Sequence, residues 1–108
     1  MNVWSSSIPD ENRKREAEQK RYREFLRIPP MSAGLYVLAA GAEDPQKPHA
    51  QDELYYVVRG HARFRAEEED SEVAPGSLLF VAANVAHKFY DIKDELAVLV
   101  VFAPAETS

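Results

Sequence analysis

A chain of 108 residues has room for one domain with one core, and a 45% hydrophobic content is that of a globular protein. No apolar run is long enough to span a bilayer, the N-terminus is charged where a signal peptide would be apolar, and cysteine is absent. These features argue against a membrane protein, a secreted disulfide framework and any thiolate site, and they set the cytoplasm as the expected compartment. The formal charge of −5 divides unevenly: residues 1–28 hold seven Lys/Arg against five Asp/Glu, and the remainder six against thirteen. An acidic body lacks the clustered cations that nucleic acid requires, so neither nucleic acid nor a membrane is expected as a partner.

In chain order, Ser7 followed by Pro9 and Asp10 reads as a helix start, because proline suits the first turn and acids suit the helix dipole. The helix is expected to run from about Pro9 to Arg27 and to stop at Pro29-Pro30. Its apolar face is thin, so it would lie against a sheet or a partner subunit. The domain division that follows is a tail and helix over 1–34 and a β body over 35–108.

From Leu35 the pattern is all β. LYVLAA (35–40), LYYVV (54–58), HARFRA (61–66), a return from Ser71, SLLFVAA (77–83), HKFYDI (87–92) and LAVLVVF (96–102) read as strands separated by turn formers. EEED (67–70) reads as a solvated hairpin tip, and the last run is apolar on both faces, as a strand between two layers would be. Six or seven short strands imply a sandwich or barrel.

The chemistry centres on PHAQDELYYVVRG (48–60). In a strand, side chains alternate, so His49, Gln51, Glu53, Tyr55 and Val57 share one face. Two imidazoles and a carboxylate make a facial metal set, and His87 is the donor able to complete one with His49 and Glu53. On composition alone the commoner reading of the same residues is a loop histidine, an edge carboxylate and a strand-end histidine, since isolated histidines are more often structural than ligating. His61, after the hairpin glycine, faces away. No Ser-His-Asp arrangement, phosphate-binding loop or dinucleotide fingerprint is present.

Two motifs resemble those of the cupins, of the RmlC-like type. The first joins His49 and Glu53 to Gly60, which follows the six-residue gap LYYVVR, with Gly41 as its opening glycine. The second runs from Pro75-Gly76 through SLLFVAANVA to His87 and Phe89. The resemblance covers about residues 35–103 and implies a double-stranded β-helix, or jelly-roll β-barrel, preceded by the N-terminal α-helix. It also implies a mononuclear divalent metal (Fe, Mn, Ni or Zn) on His49, Glu53 and His87, with Glu53 doubling as a base, and a homodimer. Tyr36, Tyr55, Phe89 and Gln51 are the expected cavity lining beside a small-molecule ligand. The chain departs from the family's His-x-His: either Lys47 replaces the first histidine or Gln51 the second, and inward parity favours Gln51. Asp91 stands where the second motif often ends in Asn and reads as a turn or supporting residue. The implied activity is a dioxygenase or isomerase. The rivals are a non-catalytic ligand-binding or sensor module with structural or no metal, a metal-free sugar isomerase or epimerase, and an interaction protein using the helix.

Overall fold

The computed structural model describes residues 2–107. Helix α1 (Ile8–Glu18) is followed by strands β1 (Tyr22–Ile28), β2 (Met31–Leu38), β3 (Asp52–Arg59), β4 (Ala62–Ala66), β5 (Glu69–Val73), β6 (Leu78–Val81), β7 (His87–Tyr90) and β8 (Leu96–Ala103). They form a five-stranded sheet in the order β1-β2-β8-β3-β6 and a three-stranded sheet β5-β4-β7. The fold is a double-stranded β-helix with an N-terminal helix on its outer side. Among the described residues, no helix is long and apolar enough to cross a membrane.

The alternation written into each strand decides what the two sheets enclose. Tyr55 and Val57 from β3, Phe64 from β4, Phe89 from β7, and Leu96, Val98, Val100 and Phe102 from β8 interlock between the sheets. β8 is apolar on both faces because its other face is also covered: Ala97 packs with Leu35 and Val37 of β2 beneath Ile8 of α1. Gly60 permits the reversal after β3. Its φ is +97, and a Cβ there would sit 2.5 Å from the Glu95 carbonyl oxygen.

The helix expected to reach Arg27 ends at Glu18 instead. Ser7 caps its start as expected, accepting the Asp10 N–H at 3.2 Å. Gln19 then takes a left-handed conformation (φ 55, ψ 41), and its N–H closes the last turn on the Arg15 and Glu16 carbonyls. Tyr22 to Ile28 pair with β2 from Tyr36 to Met31, and Pro29-Pro30 form the turn of that hairpin rather than the stop of a helix. Local composition permitted either state; an open edge of β2 offered backbone partners that an exposed helix could not match. The expected division at residue 34 consequently falls inside β2, and EEED contributes its last two residues to β5.

α1 is tied to β1 by charge. Glu11 is buried, accepting from the Ser6 hydroxyl at 2.5 Å and from Arg23 Nε at 3.0 Å, while Arg23 Nη1 reaches Glu18 at 2.5 Å. The Ser6 hydrogen bond, with Arg23 and Lys14, outweighs burial and holds the Glu11 carboxyl below its ordinary 4.5. A lowered carboxyl pKa contributes stability above the unfolded value and loses it as pH falls through the folded one. Glu11→Ala is therefore expected to cost about 1–3 kcal/mol in urea unfolding at neutral pH. The difference from wild type should shrink as the pH drops below 4.5; equal stability at neutral pH would contradict the tether.

Candidate metal centre

β3 begins at Asp52 and turns Glu53 and Tyr55 inward, both almost wholly buried. His49 lies just ahead of it in the loop, which is anchored where the His49 carbonyl accepts the Asn84 N–H at 2.7 Å. His87 opens β7, in register with Ala66 of β4. Glu53 and His87 thus come from opposite sheets and meet between them: His87 Nε2 stands 2.8 Å from Glu53 Oε1, with side chains 0% and 1% exposed. One donor atom from each of His49, Glu53 and His87 lies within 4.8 Å of the others. The three residues singled out from sequence converge.

Both imidazoles are oriented by their Nδ1 atoms. His87 Nδ1 donates to the Val85 carbonyl at 2.8 Å, which leaves Nε2 for Glu53 and for the Tyr55 hydroxyl at 3.0 Å. His49 Nδ1 faces Glu106 Oε2 at 2.8 Å, and its Nε2 faces Gln46 Oε1 at 3.2 Å. The rings are 5.7 Å apart, with His49 edge-on to Phe102. Glu53 Oε2 is buried without a hydrogen-bond partner. An unpaired carboxylate oxygen in such a setting is costly, and a cation held by Glu53, His49 and His87 would satisfy it. The donor set fits a borderline divalent ion such as Fe, Mn, Ni or Zn.

A cavity of about 130 Å³ adjoins these groups, lined by Tyr22, Tyr36, Gln46, His49, Tyr55, Val100, Phe102 and Glu106. Tyr36 and Tyr55 are where the sequence suggested. Phe89 instead fills the core against Tyr55 and Phe64, and Gln51 points its amide Nε2 at Thr107 Oγ1, 2.7 Å away. Gln51 has the inward parity expected of it; its amide nitrogen is engaged with the C-terminal tail, while its Oε1 is buried without a hydrogen-bond partner, and Lys47, the other candidate position, is exposed. Asp91 is an exposed bend residue, and His61 is exposed beside Asp94.

Four contributors escaped sequence reasoning. Asp44 accepts from the Tyr36 hydroxyl at 2.6 Å, from Gln46 Nε2 at 2.6 Å and from the Phe89 N–H at 3.0 Å. Gln46, so oriented, accepts from the Tyr55 hydroxyl at 3.0 Å. Tyr22 was assigned to a helix, and Glu106 belongs to the tail. Loops and tails have no period, so only the Asp-Pro turn signal marked the first pair. Burial raises the pKa of the Tyr22, Tyr36 and Tyr55 hydroxyls, with Asp44 adding to the effect at Tyr36 and Glu53 at Tyr55. All three therefore remain proton donors at neutral pH.

Burial pulls the His87 pKa down, but the Glu53 and Val85 hydrogen bonds and the Glu53 charge outweigh it, so the net shift is upward from 6.5. A raised histidine pKa contributes stability that is full below the unfolded value and fades as pH rises through the folded one. In metal-free protein, the unfolding free energy should fall as pH rises above 6.5, and His87→Gln should flatten that decline. An NMR titration of His87 reads the same shift directly; a midpoint at or below 6.5 would contradict it.

Residues 34–103 match the family model described as Cupin domain. The Uncharacterized protein SCO3923 of Streptomyces coelicolor is 53% identical over 93 residues, which cover 86% of this chain and 89% of that protein. Among solved structures, an RmlC-like cupin family protein with a double-stranded β-helix fold, from Methanocaldococcus jannaschii, aligns with a TM-score of 0.74. Its identity is 21%, over 96% of this chain and 93% of that one. The DMSP lyase DddQ from Ruegeria pomeroyi DSS-3 aligns with a TM-score of 0.69 at 18% identity, over 94% of this chain and 55% of that one. At these identities the two structures share the fold.

Proposed function

The chain belongs to the cupin family, and on that premise we propose that it holds one divalent metal ion on His49, Glu53 and His87 and acts on a small organic molecule in the adjoining cavity. The observation carrying this reading is the buried Glu53 carboxylate, whose second oxygen lacks a partner while two imidazoles lie within reach. When bound, the ion supplies Lewis acidity toward substrate oxygen. Glu53 would serve as a ligand, and the Tyr55 hydroxyl, which lines the cavity and donates to Gln46 Oε1 at 3.0 Å, is the group placed to pass a proton to a molecule there. That combination favours proton-transfer chemistry of the isomerase or lyase type, and a lyase among the proteins sharing the fold is consistent with it. Dioxygenase chemistry is the second reading, supported by the two-histidine, one-carboxylate set that Fe(II) enzymes use. Oxygen consumption that requires Fe(II) separates the two.

The expected result of elemental analysis is about one metal per chain after gentle purification, and added Fe, Mn, Ni or Zn should raise the melting temperature. At a hundredfold excess over Kd the stabilisation would be about 2.7 kcal/mol. Glu53→Gln and His87→Ala should abolish both effects. Stoichiometric metal retained in His87→Ala would remove that residue from the site.

Self-association is proposed on a separate observation. Leu54 and Tyr56 of β3 pair in register with Phe80 and Leu78 of the edge strand β6, and all four are exposed on the outer face of the sheet. A cross-strand apolar patch of this kind suits an isologous contact with a second copy. Sedimentation should give a dimer for wild type and a monomer for Phe80→Lys; a monomeric wild type would refute the assignment.

A further inference from the structure

We infer that Glu106, in the tail that follows β8, is a positioning residue that sets the tautomer of His49 and so turns its Nε2 toward the metal. The inference rests on the metal reading above. A ligating imidazole characteristically donates its other ring N–H to a fixed acceptor, most effectively a carboxylate, because this holds the ring in one orientation and raises its basicity. His87 has such an acceptor in the Val85 carbonyl at 2.8 Å. His49 has none in its own loop at Nδ1; the acceptor there is Glu106 Oε2, at 2.8 Å.

The tail is built to keep that carboxylate in place. The Glu106 N–H donates to Ser32 Oγ at 2.9 Å, and Arg27 Nη2 donates to the Glu106 carbonyl at 2.8 Å. Gln51 Nε2 donates to Thr107 Oγ1 at 2.7 Å. Ser32 and Gln51 are both buried, 0% and 5% exposed. A buried hydroxyl and a buried amide are retained at a cost, and here each is spent on the two residues that flank or form the His49 contact. The Glu106 and His49 side chains are themselves only 20% and 19% exposed, so solvent screens their hydrogen bond weakly. On the opposite side of the ring, Gln46 Oε1, its amide oriented by Asp44, lies 3.2 Å from Nε2. An amide oxygen only accepts, so this longer contact competes with the 2.8 Å Glu106 contact for the ring proton and would give way once an ion takes the Nε2 lone pair.

The test compares full-length wild type, Glu106→Ala and Glu106→Gln by zinc titration and by long-range proton–nitrogen NMR of the imidazoles. In metal-free wild type, His49 should carry its proton on Nδ1. Glu106→Ala should lose that preference and bind zinc 10–100-fold more weakly, the loss typical of removing a ligand's carboxylate partner. Glu106→Gln keeps an acceptor oxygen, so it should retain the tautomer and lose less affinity. Unchanged zinc affinity in Glu106→Ala overturns the inference while leaving the metal site standing. Equal losses in Ala and Gln variants, with the tautomer unchanged in both, also overturn it, since Glu106 would then act by charge or as a ligand. A wild type that binds no zinc, iron, manganese or nickel overturns the metal reading and this inference with it.

Discussion

The structure turns on a carboxylate placed where carboxylates are rarely tolerated. Glu53 sits between two sheets among valines and aromatic rings, with one oxygen against His87 and the other without a partner. A buried charge of this kind persists only if a counter-charge occupies the same space. A proton on His87 can supply it, which is the physical content of that residue's raised pKa. A divalent cation held by Glu53, His49 and His87 would supply it more completely. Proton and ion would then compete for one site, and binding of the ion would release a proton.

This competition makes the site a measure of how the sheets are packed. Glu53 belongs to the five-stranded sheet and His87 to the three-stranded one, so their 2.8 Å contact exists only when the sandwich is closed. An ion held by both sheets, together with His49, would bind the folded chain and find no comparable site in the unfolded one. β3 is the shared member. It pairs with β8 on one side and β6 on the other, and its inner residues supply both Glu53 and Tyr55. Pairing on both sides is what gives the carboxylate a fixed position.

The parts legible in the sequence were those with a period. Glu53, Tyr55 and Val57 share a face because strand geometry makes them do so, and β8 showed itself by being apolar on both sides. His49 and His87 could be paired with Glu53 by motif spacing, although spacing alone does not establish that three side chains converge. The segment from Tyr22 to Ile28 was misread because its aromatic and basic residues suit a helix as well as an edge strand. The free edge of β2 decided the matter, and that information lies elsewhere in the chain. Gln51 was given the right face, but parity could not foresee that its amide nitrogen meets Thr107 of the tail, since it says which side a residue faces and nothing about what awaits it there.

What the sequence could not disclose is concentrated in two aperiodic segments, the loop through Asp44 and Gln46 and the tail through Glu106. The resemblance implied a site with one imidazole fewer than most metal-binding relatives carry. In its place stands a set of indirect supports. Asp44 fixes the Gln46 amide so that its oxygen faces both Tyr55 and His49, while Ser32, Arg27 and Gln51 fix the tail that meets His49 from the other side. A three-residue ligand set has less enthalpy to draw on than a four-residue set, so the entropy of orienting each ligand weighs more heavily. Holding both histidines by their Nδ1 atoms would remove that cost ahead of any ion. On the proposed reading, the chain offsets a missing donor by rigidifying those that remain, through residues outside the ligand set.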